Sequence, residues 1–169
     1  MQIALLSSKD QTWTTPEEVL TLIRQLGPIG LDPCPNPRSI VGARESYSLE
    51  VGQDGLAEDW LDRGLVYVNP PFGRQLPKWI NKAVVSWAQA WECDRSFEYV
   101  FLVPARPDTK WFTQAREGAT SLGFWRGRIA FGGQKIVAPF PSLLIYFGLH
   151  PERFESVFIH KAHIWHVAT

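Results

Sequence analysis

The sequence predicts an open α/β sheet, mostly parallel, whose C-terminal third adds an antiparallel edge. Three observations carry this reading. Short apolar runs alternate with segments of helical periodicity. Three of those runs, Ile29 to Asp32, Leu65 to Val68 and Tyr99 to Val103, stop abruptly at polar or proline-rich loops that begin at Pro33, Asn69 and Pro104. Beyond them the strand-like segments follow one another without a long helix between them.

The elements follow in order. A helix is expected from about Pro16 to Leu26: Thr15 can cap it, Pro16 suits its first turn, Glu17 and Glu18 favour its positive end, and Gly27-Pro28 stops it. Val19, Leu22, Ile23 and Leu26 then share one face. Ile29 to Asp32 is a short strand delivering its carboxyl end into the rigid loop Pro33-Cys34-Pro35-Asn36-Pro37. Between Pro33 and Asp54 no regular structure is evident, and long loops in compact domains are usually functional. Leu65 to Val68 is the next strand. A helix from about Leu76 to Trp91 follows, with Trp79, Ile80, Ala83, Val84 and Trp87 at helical spacing, and then the buried strand Tyr99 to Val103. Phe124 to Phe131 and Pro141 to Phe147, joined through Gly132-Gly133, are expected to form an antiparallel pair closing one edge. Ligands of open α/β sheets gather outside the carboxyl ends of the strands.

Composition bounds the rest. With 169 residues, 45% hydrophobic and 20% charged, the chain is expected to form a single domain around one core. A formal net charge of +0 gives no global positive field, so any nucleic-acid contact must come from a local basic face. Cys34 and Cys93 are too few for a disulfide scaffold and form no Cys-x-x-Cys pair, and His150, His160, His163 and His166 lack partners at ligand spacing, so no metal is expected. Met1 to Lys9 is apolar only briefly and has no basic leader, and no stretch is long enough to cross a membrane, so a cytoplasmic protein is expected.

Asn69-Pro70-Pro71-Phe72 is the most informative tetrapeptide. The exocyclic amino group of adenine is a poor nucleophile because its lone pair is delocalised into the ring. The Asn69 side-chain carbonyl and the Pro70 backbone carbonyl can accept both amino hydrogens and aim the nitrogen at a methyl donor. Pro70 and Pro71 fix the backbone so that these acceptors converge, which is catalysis by orientation. Phe72 offers a flat face to a base flipped from its stack. A strand-terminating turn is the competing reading, and the placement between a buried strand and a helix favours function.

Several further segments share an order with a known family. Trp13-Thr14-Thr15-Pro16, Leu31-Asp32-Pro33-Cys34, Asp54-Gly55-Leu56 with Asp59-Trp60, Asn69-Pro70-Pro71-Phe72-Gly73, Leu102-Val103-Pro104-Ala105, Asp108 to Phe112, Gly127 to Phe131 and Ser142 to Phe147 succeed one another. In this the chain resembles the phage-type DNA N-6-adenine methyltransferases, the Dam-like family. The resemblance implies a Rossmann-like S-adenosylmethionine-dependent methyltransferase fold, DNA as partner, methylation of adenine, and a phage or prophage origin with action in the host cytoplasm. It implies cofactor contacts for Thr15 and Pro16 at the methionine end, for Asp32, Pro33 and Cys34 at the first strand end, for Asp54 at the donor's adenine amino group, and for Asn69.

The usual glycine-rich turn after the first strand is replaced by Pro33-Cys34-Pro35-Asn36-Pro37, and the interval from Asp32 to Asp54 is too short for a full helix, strand and second loop. Glu45 and Glu50 are the candidates for the ribose hydroxyls. Arg106, Lys110, Arg126 and Arg128 cluster after the tetrapeptide, and Arg106, Arg128 and Lys110 are the expected DNA contacts. Two alternatives stand beside the enzyme reading: a non-catalytic DNA- or partner-binding module of the same fold, and amino methylation of cytosine or RNA.

Overall fold

The computed structural model describes residues 13–133 and 137–167; the reading of Met1 to Lys9 lies outside them. The chain builds α1 (Glu17–Leu26), β1 (Ile29–Asp32), β2 (Glu45–Ser46), β3 (Leu65–Val68), α2 (Leu76–Cys93), β4 (Glu98–Pro104), α3 (Lys110–Gly118), β5 (Ser121–Trp125), β6 (Ser142–Phe147), α4 (Pro151–Phe158) and β7 (Ala162–His166). All seven strands join one sheet in the order β2-β1-β3-β4-β6-β5-β7.

Alternation along the strands divides the core in two. On one face Leu31, Val66, Val68, Phe101, Val103 and Ile145 meet Trp79, Ile80 and Ala83 of α2 and Phe112 and Ala115 of α3. On the other face Ile29, Leu65, Tyr67, Val100, Leu102 and Leu144 meet Val19, Leu20 and Ile23 of α1 and Phe154 and Phe158 of α4. The result is three layers, helix, sheet and helix. The central strands β1, β3 and β6 are buried along their whole length, which is why they read as continuous apolar runs.

The sheet is mixed rather than mostly parallel. β2, β1, β3 and β4 pair in parallel, whereas the pairs β4–β6, β5–β6 and β5–β7 are antiparallel. The cause lies in the connections. α3 carries the chain from β4 across to β5 in the same direction, but an irregular loop links β5 to β6, and without a crossover the returning strand runs backwards. β6 therefore enters between β4 and β5 instead of closing an outer edge, and α4 then carries the chain to β7 beyond β5.

The strand expected over Phe124 to Phe131 is corrected to Ser121–Trp125. Gly127 takes φ +78°, which ends the extended run, and Ile129 and Phe131 reach the core from a loop. Thr15 does not cap α1: the cap position is Pro16, and no side chain caps the helix. The backbone carbonyl of Pro16 accepts from Val19 and Leu20 instead. Between Asp32 and Asp54 lie only the two-residue β2 and one 3-10 turn (Leu49–Val51), so this part of the sheet is abbreviated as expected.

Trp60 anchors the connection between β2 and β3. It is fully buried, lies nearly parallel to Trp79 at 6.0 Å and donates from Nε1 to the Gly55 carbonyl at 2.8 Å. Trp60→Ala should therefore cost about 3–5 kcal/mol of unfolding free energy. Urea denaturation checks this, and a loss below about 1 kcal/mol would show that the indole is not a structural anchor.

Candidate active site

The strand order reverses at β1: β2 lies on one side of it, and the chain then crosses back to place β3 on the other. Such a switch point opens a crevice outside the carboxyl ends of the two central strands. Asp32 ends β1 and Asn69 follows β3, so both sequence-selected loops face this crevice. It is a cleft of about 250 Å³ lined by Trp13, Cys34, Pro35, Asn36, Pro37, Asn69 and Pro71.

The segment preceding α1 straps the loops together. Thr14 Oγ1 donates to Asn36 Oδ1 at 3.1 Å in the β1 loop, while the Thr14 carbonyl accepts from Gly132 N at 2.7 Å in the β5–β6 connection. Asn69 Nδ2 donates to the Trp13 carbonyl, and to Thr15 Oγ1 at 3.1 Å. Thr15 Oγ1 also meets the Tyr67 hydroxyl at 2.6 Å. A backbone carbonyl only accepts, so the amide face turned toward Trp13 must be the NH2, and the orientation of Asn69 is dictated by its partners. The opposite atom, Asn69 Oδ1, is buried and has no hydrogen-bond partner among the described residues. An unpaired buried acceptor costs about 1–3 kcal/mol, so this oxygen gains by meeting a donor.

Phe72 is half-buried in an aromatic cluster. Its ring lies 23° from the plane of Trp13 at 6.3 Å, and it meets Phe140 edge-on at 5.5 Å and Phe131 edge-on at 6.3 Å. Pro70 is buried and Pro71 half-buried. The tetrapeptide is thus held on both sides, by hydrogen bonds at Asn69 and by ring contacts at Phe72.

Asp32 is 4% exposed. Its carboxylate accepts from Cys34 N at 3.1 Å and from Ser39 Oγ at 3.4 Å, both neutral donors. Burial outweighs these bonds and pushes its pKa from 3.8 up to about 6. Cys34 packs beside it, and its thiol is also pushed up, chiefly by burial and then by the Asp32 charge. Asp54 is exposed and accepts from Leu56 N at 3.0 Å in an Asp turn. The neighbouring Gly55 brings that turn against the β1 loop, because a Cβ there would lie 2.0 Å from the Pro33 carbonyl oxygen. Close backbone approach at this site is thus supplied by Gly55 and not by a glycine turn after β1. Of the two ribose candidates, Glu45 is ion-paired with Arg63 at 2.7 Å, whereas Glu50 is exposed beyond the carboxyl end of β2.

Arg106 follows β4 and Arg128 follows β5, which runs in the same direction, so both emerge at the carboxyl edge of the sheet with the cleft. Lys110 opens α3 beside Arg106. All three are exposed, as are Arg126 and Arg74, and Arg74 lies two residues beyond Phe72. Trp111 and Trp125, which lie among these basic residues in sequence, belong to the core.

The match to a family model decides the assignment: residues 3–140 match the model of the DNA N-6-adenine-methyltransferase (Dam) family. The chain belongs to that family. No curated protein and no solved structure matches it. The matched span of the Dam family model contains the strap, both cleft loops, Arg106, Lys110 and Arg128, and it ends at Phe140, before β6, α4 and β7. No helix among the described residues is long and apolar enough to cross a membrane, and no group of three His, Cys, Asp or Glu residues among them could hold a metal.

Sequence reasoning missed four contributors: the Trp13 carbonyl, Asn36, Ser39 and Tyr67. Only Tyr67 carried a signal, a phenol on an otherwise aliphatic buried strand, whose hydroxyl must find a partner.

The buried carboxylate makes stability depend on pH. Between pH 3.8 and 6 the folded chain holds the Asp32 proton more tightly than the unfolded chain does, so stability falls as pH rises, by about 3 kcal/mol in all. Asp59 and Asp62, whose pKa values are lowered, act in the opposite sense and are shared by both proteins in a comparison with Asp32→Asn. Urea titrations from pH 4 to 7 should show the wild type losing stability relative to Asp32→Asn. A constant difference across that range would contradict a desolvated carboxylate.

Proposed function

We propose that this protein methylates the exocyclic amino group of adenine in DNA with S-adenosylmethionine as donor, on a Rossmann-like methyltransferase fold. The observation that carries the reading is the Asn69 amide: its nitrogen is doubly engaged, and its buried oxygen remains an unpaired acceptor at the switch point of the sheet. That atom takes one hydrogen of the target amino group, and the Pro70 carbonyl takes the other. Together they orient the nitrogen lone pair. Oδ1 has almost no accessible surface, so its cover must part as the base enters, while Nδ2 stays held by Trp13 and Thr15 and the new hydrogen bond forms at low dielectric.

The residues of the cleft fit the donor. S-adenosylmethionine, when bound, supplies an electrophilic methyl group on a sulfonium centre. Asp32 offers a buried carboxylate with only neutral partners, suited to the cationic methionine end. Pro33, Cys34, Thr15, Pro16 and Asn69 would border the same end, Cys34 and Asn69 from the lining of the cleft itself. Asp54, held against the Pro33 loop by Gly55, would receive the donor's adenine amino group, and Glu50 its ribose hydroxyls. Phe72 with Trp13 offers ring faces to the flipped base, which offsets part of the unstacking cost. Arg106, Arg128 and Lys110 would contact phosphates along the carboxyl edge and set the position of the duplex. A phage or prophage origin is part of the same proposal.

Plasmid DNA incubated with methyl-labelled S-adenosylmethionine and digested to nucleosides tests the reading. Label should appear in N6-methyladenine. Label in cytosine or only in RNA would move the substrate, and no transfer together with no binding of the donor by isothermal titration would leave a non-catalytic module. Asn69→Ala should lower turnover by roughly 100-fold or more while fold and donor binding persist; wild-type turnover by this variant would remove Asn69 from the mechanism.

A further inference from the structure

Tyr67 is the one polar side chain on β3, fully buried, and among the described residues its hydroxyl has a single hydrogen-bond partner, Thr15 Oγ1 at 2.6 Å. Thr15 is 2% exposed and accepts a second contact, from Asn69 Nδ2 at 3.1 Å. Two hydroxyls thus share one contact, and only one of them can donate into it. A phenol is the stronger donor and the weaker acceptor of the two, and since either assignment leaves one hydrogen over at a buried position, donor strength decides. Tyr67 is therefore the donor. Both lone pairs of Thr15 are then filled, by Tyr67 and by Asn69, and the Thr15 hydrogen is turned away from both.

We infer that Tyr67 is a positioning residue of the site: its buried phenol fixes the Thr15 oxygen as an acceptor for Asn69 Nδ2, and so keeps Asn69 Oδ1 as the atom left for the target amino group. This rests on the role proposed for Asn69. The chain of donors runs one way, from Tyr67 to Thr15 and from Asn69 to Thr15, and donation by the phenol determines how the Thr15 hydroxyl is rotated. Without it the hydroxyl is free to turn its hydrogen toward Asn69 Nδ2, where it repels the amide and loosens the carboxamide plane. The Trp13 carbonyl alone then holds the amide, through one of its two hydrogens. Tyr67 does this from behind the strand, on the α1 side of the sheet, without touching substrate.

Tyr67→Phe removes the hydroxyl and keeps the ring. It is compared with wild type in three measurements: thermal melting, steady-state kinetics on a DNA duplex with labelled S-adenosylmethionine, and the side-chain amide resonances of Asn69 in 15N-labelled protein. The expected result is melting lower by only about 2–4 °C, as the loss of about one neutral hydrogen bond predicts, kcat lower by roughly five- to tenfold, little change in either KM, and faster solvent exchange of the Asn69 amide hydrogens. Thr15→Val, which removes the shared acceptor, should lower kcat as Tyr67→Phe does. A Tyr67→Phe protein with wild-type kcat, or one whose loss lies wholly in KM or in melting, overturns the inference, as does an Asn69 amide that exchanges as slowly as in the wild type. If the wild type transfers no methyl group, the proposed activity fails, while the amide exchange still decides whether Tyr67 positions Asn69.

Discussion

The site depends on one constraint: the carboxamide of Asn69 can point only one way. The Trp13 carbonyl and the Thr15 hydroxyl both claim its nitrogen, so the oxygen is left buried and without a hydrogen-bond partner among the described residues. Folding pays for that orphan with the surrounding network, and the protein gains an acceptor that is rigid before any ligand arrives. The strap from Trp13 to Thr15 is the physical means, because it bonds in turn to the β1 loop, the β3 loop and the β5–β6 connection. Three loops that would otherwise be independent are thereby tied into one edge.

A second constraint complements the first. Asp32 ends β1 buried against neutral donors, and its raised pKa marks a carboxylate that gains by meeting a cation. A ligand with a positive end would lower that pKa again and recover the stability lost on ionisation. The two sides of the cleft thus ask for complementary things, a positive group beside β1 and a hydrogen-bond donor beside β3. Under the proposed function, a sulfonium amino acid and a nucleobase amino group would satisfy both.

Much of the frame was legible in the sequence, because its signals are local. Strands that end in prolines and polar residues mark where β1, β3 and β4 deliver their loops, and the Leu76 to Trp91 periodicity marks α2 to within two residues of its end at Cys93. The elements that escaped are short or one-sided. α3 and α4 have nine and eight residues, too few for a repeating stripe. β7 buries only Ala162 and reads as a polar tail. Arg126 to Phe131 looked extended because its apolar residues are buried, yet they reach the core from a loop turned by Gly127. The roles of Thr15 and Tyr67 were out of reach for a different reason: their contact joins residues 52 positions apart, and no local pattern encodes it. The placement of Asn69 at a strand end could be read; what holds its amide could not.

The most direct test of the central claim is the pH profile of methyl transfer by Asn69→Asp. The substitution keeps an acceptor but removes the NH2 that the Trp13 carbonyl and Thr15 require, so an ionised carboxylate would face the Trp13 carbonyl oxygen. If the orientation of the amide is what the site depends on, Asn69→Asp should be nearly inactive at neutral pH and regain activity relative to wild type as the pH falls and a protonated carboxyl can donate to Trp13. Activity equal to wild type at neutral pH, with no relative gain on acidification, would contradict it.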